Sequence, residues 1–135
     1  MAKSEIKAVF SASVQGVWNI VTSLENYQWR SDLDKIEKLN EKQFVEYTKD
    51  GFSTTFTITA SELYKRWEFD IENSNMKGHW IGIFAFEDGK TTVDFTEDVT
   101  AKKVFMKPFV KPYLHKQQNT YIRDLSKALG EDYEL

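Results

Sequence analysis

A chain of 135 residues with net charge −3 and no cysteine is sized for one domain, residues 1–135, that buries about two thirds of its unfolded surface. The acidic balance argues against nucleic acid as a general partner, and the lack of cysteine excludes disulfides and thiol chemistry. Four Trp and ten Phe are more than a core of this size needs, which leaves aromatic side chains to line a cavity. The opening MAKSEIKAVF has no apolar leader and no run nears 18 apolar residues, so a soluble, cytoplasmic protein without stable membrane insertion is expected.

In chain order, Ser4–Ser11 sets Ile6, Ala8 and Phe10 against Lys7 and predicts a strand. Ser13 is an N-cap for a helix through Val14, Val17, Trp18, Val21 and Leu24, which breaks at Asn26-Tyr27. A second short helical piece is predicted over Trp29–Asp34. Lys35–Leu39 fits a strand and, nearly as well, a continuation of that piece. Gln43–Lys49 is the next strand.

Two Asp-Gly dipeptides between alternating runs mark hairpins. Treating Asp50-Gly51 as a two-residue turn sets Tyr47 opposite Thr54 and Val45 opposite Phe56. One face then holds Val45, Tyr47, Thr54, Phe56 and Ile58, while Phe44 alone falls on the polar face. Leu63–Glu72 follows, with Trp67, Phe69 and Ile71 together, and Asn73–Lys77 is a polar loop. Around Asp88-Gly89, Gly78–Glu87 pairs with Lys90–Thr100. That register sets Phe84 opposite Val93, Gly82 opposite Phe95 and Trp80 opposite Glu97 on the inner face, and His79 opposite Asp98 on the outer one.

Phe105–Leu129 is the one long helical stretch. Val110, Leu114, Tyr121, Leu125 and Ala128 form its apolar stripe, with Met106 and Leu129 at the edges. Pro108 suits its first turn and Pro112 bends it. Many strands and one terminal amphipathic helix imply an α+β fold in which the helix covers the sheet.

Glu97 is the residue that most needs an explanation. It shares a strand face with Val93, Phe95 and Val99, where a carboxylate demands a partner, a raised pKa or water. It is either a charge near the sheet end, paired or wet, or a polar anchor in a ligand cavity, or a catalytic acid or base. Trp80 across the hairpin, with Phe95, Trp67 and Phe56, supplies the candidate aromatic wall. Tyr113 and Gln117 on one flank of the helix and Gln118 on the other read as a wet boundary, or else Tyr113 and Gln117 face inward as further ligand contacts. His79 reads as a surface ion pair with Asp98, and His115 as solvent-exposed. Lys102, Lys103, Lys107, Lys111 and Lys116 form a basic run near the bend. Phe44, Ile81 and Ile83, on the otherwise polar face, are candidates for a homodimer or partner surface. No metal-ligand spacing and no nucleotide-binding or nucleophile-elbow motif is present, and no cofactor is expected.

Along its whole length the chain resembles the START-like (SRPBCC) superfamily, in particular its polyketide cyclase/dehydrase and lipid-transport branch. The likeness lies in Ala12-Ser13-Val14-Gln15-Gly16-Val17-Trp18, in Glu25-Asn26-Tyr27-Gln28-Trp29-Arg30-Ser31-Asp32 and in Glu46-Tyr47-Thr48-Lys49-Asp50-Gly51. It continues in Arg66-Trp67-Glu68-Phe69, Gly78-His79-Trp80 and Thr96-Glu97-Asp98-Val99. Val14 stands where the family often has Pro. The resemblance implies a helix-grip fold: two short helices after the first strand, and a curved antiparallel sheet of six to seven strands around the last helix. It also implies a cavity for a hydrophobic or amphipathic small molecule, lipid- or polyketide-like. Members of the superfamily variously carry ligands, cyclise or dehydrate polyketides, or assist chaperones. The resemblance carries over no catalytic residue; on this chain's own residues, Glu97 or Tyr113 would be the proton-transfer group of a cyclase or dehydratase.

Overall fold

The computed structural model describes residues 2–131; Met1 and residues 132–135, the ends of the expected domain, lie outside the described residues. Seven strands form one antiparallel sheet: β1 (Ala2–Phe10), β2 (Leu33–Lys38), β3 (Gln43–Thr48), β4 (Ser53–Glu62), β5 (Arg66–Glu72), β6 (Met76–Glu87) and β7 (Lys90–Ala101). Their order is β1-β7-β6-β5-β4-β3-β2. Helix α1 (Val14–Thr22) follows β1, and a 3₁₀ turn (Val104–Met106) leads into α2 (Lys107–Ala128). This is the helix-grip arrangement.

The β6–β7 hairpin has the expected register, with Trp80 opposite Glu97, Gly82 opposite Phe95 and Phe84 opposite Val93. Asp88 and Gly89 both hold positive φ, 53° and 75°, as a two-residue I′ turn requires. The β3–β4 hairpin departs from expectation by one residue. Phe44 pairs with Phe56 and Glu46 with Thr54, not Val45 with Phe56. Asp50 does not share the positive φ of Gly51 (86°), so the loop is the three residues Lys49-Asp50-Gly51. Thr48 closes it, accepting from Gly51 N at 2.9 Å through its carbonyl and engaging Asp50 through its hydroxyl. Because strand side chains alternate, the slip turns all of β3 over. Phe44, only 1% exposed, stacks on Phe56 at 4.9 Å in the core, and Glu46 turns inward. Tyr47 instead lies outside beneath the Lys35 ammonium.

Three other expectations fail in whole or in part. Trp29–Asp34 is a pair of turns leading into β2, so one short helix, not two, follows the first strand. Phe44 is core, so of the outer patch only the half-buried Ile81 and the exposed Ile83 remain. The His79 ring faces outward as expected, but its partners are Asp70 (2.7 Å) and Glu68 (2.9 Å) on β5, while Asp98 Oδ1 has no partner among the described residues. Burial lowers the His79 pKa, yet the two carboxylates outweigh it and the net shift is upward.

Helix α1 starts at Ser13, whose Oγ accepts from Gly16 N at 3.1 Å, and it buries Val17, Trp18 and Val21. Helix α2 buries Val110, Leu114, Gln118, Ile122 and Leu125, a stripe that turns away from Ala128, which is exposed. Gln118 is admitted to the core because its polar atoms are satisfied. Its Oε1 accepts from Ser4 Oγ at 2.7 Å and its Nε2 donates to Ser4 O at 3.0 Å. The same Ser4 hydroxyl lies 3.0 Å from Nδ1 of the exposed His115, tying β1 to α2.

Candidate functional site

Between the concave sheet face and α2 lies a cavity of about 110 Å³. Its floor is a set of interlocked rings: Phe69 stacks on Trp80 at 4.7 Å, and Trp67 meets both edge-on. Trp80, Glu97, Trp67, Phe56, Tyr113 and Gln117 all line this space. Phe95 does not; it borders a smaller adjoining recess of about 40 Å³ behind Trp80 and Glu97. Tyr113 stands at the mouth and is 44% exposed. From there a mostly apolar groove of about 330 Å³ continues outward over Phe52, Met76, Met106, Phe109 and Val110.

The strand glycine Gly82 shapes the floor. A Cβ there would sit 2.5 Å from the Trp80 indole, so the ring occupies the space a side chain would need. Gly82→Ala is expected to push Trp80 into the cavity and to cost about 1–3 kcal/mol, typical of overpacking. A denaturation midpoint, together with a shift in tryptophan emission, checks this.

The polar side of the cavity centres on Arg30, which the sequence pattern marks as part of a family motif but not as a site residue. Its Nε and Nη2 reach Asp32 at 3.2 and 3.3 Å, and Nη1 and Nη2 reach Glu46 at 3.5 and 3.4 Å. The guanidinium also lies over Tyr121 at 4.8 Å and over Trp29 at 5.8 Å. The loop that carries it is anchored by the buried Asp124 of α2, whose Oδ2 accepts from Ser31 N at 2.8 Å and from Ser31 Oγ at 2.7 Å. Burial alone would lower the Arg30 pKa, but two carboxylates reverse that and hold it above its ordinary value.

Glu97 is different. Among the described residues no hydrogen bond or ion pair reaches its carboxyl. Burial first, then the like charge of Glu46, raises its pKa from 4.5 to about 7, and Arg30 offsets only part of this. Glu46 is raised as well, burial outweighing its contact with Arg30. Tyr113 and Tyr121 are raised by burial, to which the neighbouring carboxylates add. Trp29 Nε1 is a buried donor with no acceptor among the described residues. The interior thus holds one neutralised cation, one unpaired acid that titrates near neutrality, and aromatic walls. No cluster of metal-ligating side chains exists among the described residues.

Periodicity and spacing do not mark Arg30 or Glu46 as site residues, for separate reasons. Glu46 was hidden by the register slip, and the one signal against that register was Phe44 stranded on a polar face. Arg30 lies in a loop with no periodicity to read.

No curated protein sequence matches this one. Solved structures share the fold. A conserved protein from Geobacillus kaustophilus superposes with TM-score 0.82 at 8% identity, covering 96% of this chain and 95% of that one. A START superfamily protein from Mycobacterium smegmatis gives 0.75 at 16% identity, covering 94% and 93%. The protein XoxI from Bacillus cereus gives 0.78 at 15% identity, covering 95% of each. Residues 1–130 match the family described as polyketide cyclase / dehydrase and lipid transport, and the chain belongs to that family.

Proposed function

We propose that the chain acts as a single soluble, cytoplasmic binding unit for a hydrophobic or amphipathic small molecule with one polar group, lipid- or polyketide-like. The observation that carries this reading is the partnerless Glu97 carboxyl in an aromatic-walled cavity. Glu97 is half-buried and faces the cavity without a protein partner, so a ligand that fills the cavity must replace the solvation it displaces there, and one that hydrogen-bonds the carboxyl does so. The apolar part would rest on Trp80, Trp67 and Phe56, with Phe95 backing Trp80. Gln117 and Tyr113 would contact the end nearer the mouth. The enclosed space is small for a ligand of ordinary size, so such a molecule would extend into the outer groove.

Native mass spectrometry of freshly purified protein tests the reading. The wild type is expected to retain a small molecule that Glu97→Gln and Trp80→Ala lose while still folded. Retention by both variants would remove Glu97 and Trp80 from the site. One observation favours a second reading, a cyclase- or dehydratase-type reaction: an acid titrating near neutrality suits proton transfer, by Glu97 with Tyr113 beside it. In that case Glu97→Gln would retain a molecule of different mass, the unreacted substrate, instead of losing it.

A further inference from the structure

The cavity mouth carries an exposed apolar tip. Val104, Phe105 and Phe109 are 77%, 72% and 68% exposed, an unusual investment of large side chains in solvent on a 135-residue chain. Phe109 and Tyr113, four residues apart on one flank of α2, both line the outer groove, and Phe105 precedes them in the 3₁₀ turn. Helix packing does not require this arrangement, because Val110 and Leu114 already supply the buried contacts of these turns.

Charge is segregated along the segment that carries this tip. From Val99 to Arg123 the sequence has Lys102, Lys103, Lys107, Lys111, Lys116 and Arg123 and no Asp or Glu, although the whole chain is at −3. Two acids from neighbouring elements approach the tip. Glu72 is paired with Lys102 at 2.9 Å, and Asp50 is engaged with Thr48 in the β3–β4 turn. Lys103, Lys107, Lys111 and Lys116 are exposed and appear in no ion pair among the described residues.

We propose that the 3₁₀ turn and the first turns of α2 dock on an anionic membrane surface, with Val104, Phe105 and Phe109 entering the interfacial layer and the lysines meeting acidic headgroups. Aromatic side chains ringed by lysine match that layer in both polarity and charge. An acidic body behind a basic tip fixes the orientation, since the remaining surface is repelled. The docked geometry sets the outer groove against the bilayer. It requires no spanning segment, and no described helix is long and apolar enough to cross a membrane.

Cosedimentation with phosphatidylcholine vesicles, with and without about 30% phosphatidylserine, tests this. Binding is expected to the anionic vesicles only, and to fade as salt screens the lysines. Lys107→Glu with Lys111→Glu should weaken it by at least roughly 30-fold, from about fivefold per lysine near such a surface. Phe105→Ser with Phe109→Ser should abolish it. All four positions are exposed, so unchanged circular dichroism and melting are expected. Failure to bind anionic vesicles at low salt, equal binding to both compositions, or wild-type binding by both double variants would overturn the proposal. So would a wild-type dimer that Phe105→Ser with Phe109→Ser converts to monomer, because a second copy would then cover the tip.

Discussion

Arg30→Met is expected to lower stability by about 3–5 kcal/mol at neutral pH, measured by urea denaturation. Methionine keeps much of the stem that packs over Tyr121 but removes the cation from between Asp32 and Glu46. The loss is not shared equally. The Asp32 side chain is 33% exposed and water takes over part of its solvation, whereas Glu46, at 16%, has little alternative. Adding Glu46→Gln to Arg30→Met should therefore restore a good part of the stability, a non-additive result that isolates the pair. A loss below about 1 kcal/mol for Arg30→Met would mean that the guanidinium is solvated and does not organise the site. The same substitution bears on function, since Arg30 offsets part of the rise in the Glu97 pKa.

How much of this was legible in the sequence depended on whether a residue's place is set locally. Asp88-Gly89 admits a I′ turn, and from it the inner positions of Trp80, Gly82, Phe95 and Glu97 follow by counting. The identical dipeptide at Asp50-Gly51 takes a different turn, because Thr48 offers Asp50 a side-chain partner and only Gly51 adopts positive φ. One residue of register then exchanged Glu46 for Tyr47 on the inner face. Alternation within each strand cannot decide such a slip, since both registers alternate; the stranded Phe44 could. The long helix was visible from its period, but not the burial of Gln118, which depends on Ser4, 114 positions away. Arg30 is the clearest limit. A charged residue in an aperiodic loop is ordinarily solvated, and only the tie between Ser31 and Asp124, 93 positions apart, brings this one inside.

Glu97→Gln is expected to make the protein more stable above neutral pH while weakening the binding proposed for the site. The sign follows from proton uptake. The Glu97 pKa is about 7 in the folded chain against 4.5 for the ordinary side chain, so between those values the folded state holds the proton more often than the unfolded one. Stability is therefore full below about pH 4.5, falls as the pH rises through the folded pKa, and stays low above it. A shift of that size corresponds to about 3.5 kcal/mol at most, since each unit is worth about 1.4 kcal/mol. Glutamine keeps the shape of the protonated acid and has no charge to desolvate. Urea midpoints between about pH 5 and pH 8 should fall with pH in the wild type and fall much less in the variant. A residual slope of the same sign is expected from Glu46, whose pKa is also raised by burial. Equal slopes, or a variant less stable than wild type at pH 8, would show that Glu97 is solvated in the native state. A flattened curve would mean that the fold retains a carboxylate that destabilises it above neutral pH. A ligand group that hydrogen-bonds Glu97 would relieve that penalty, so binding to the wild type should raise stability most where the unliganded protein is weakest.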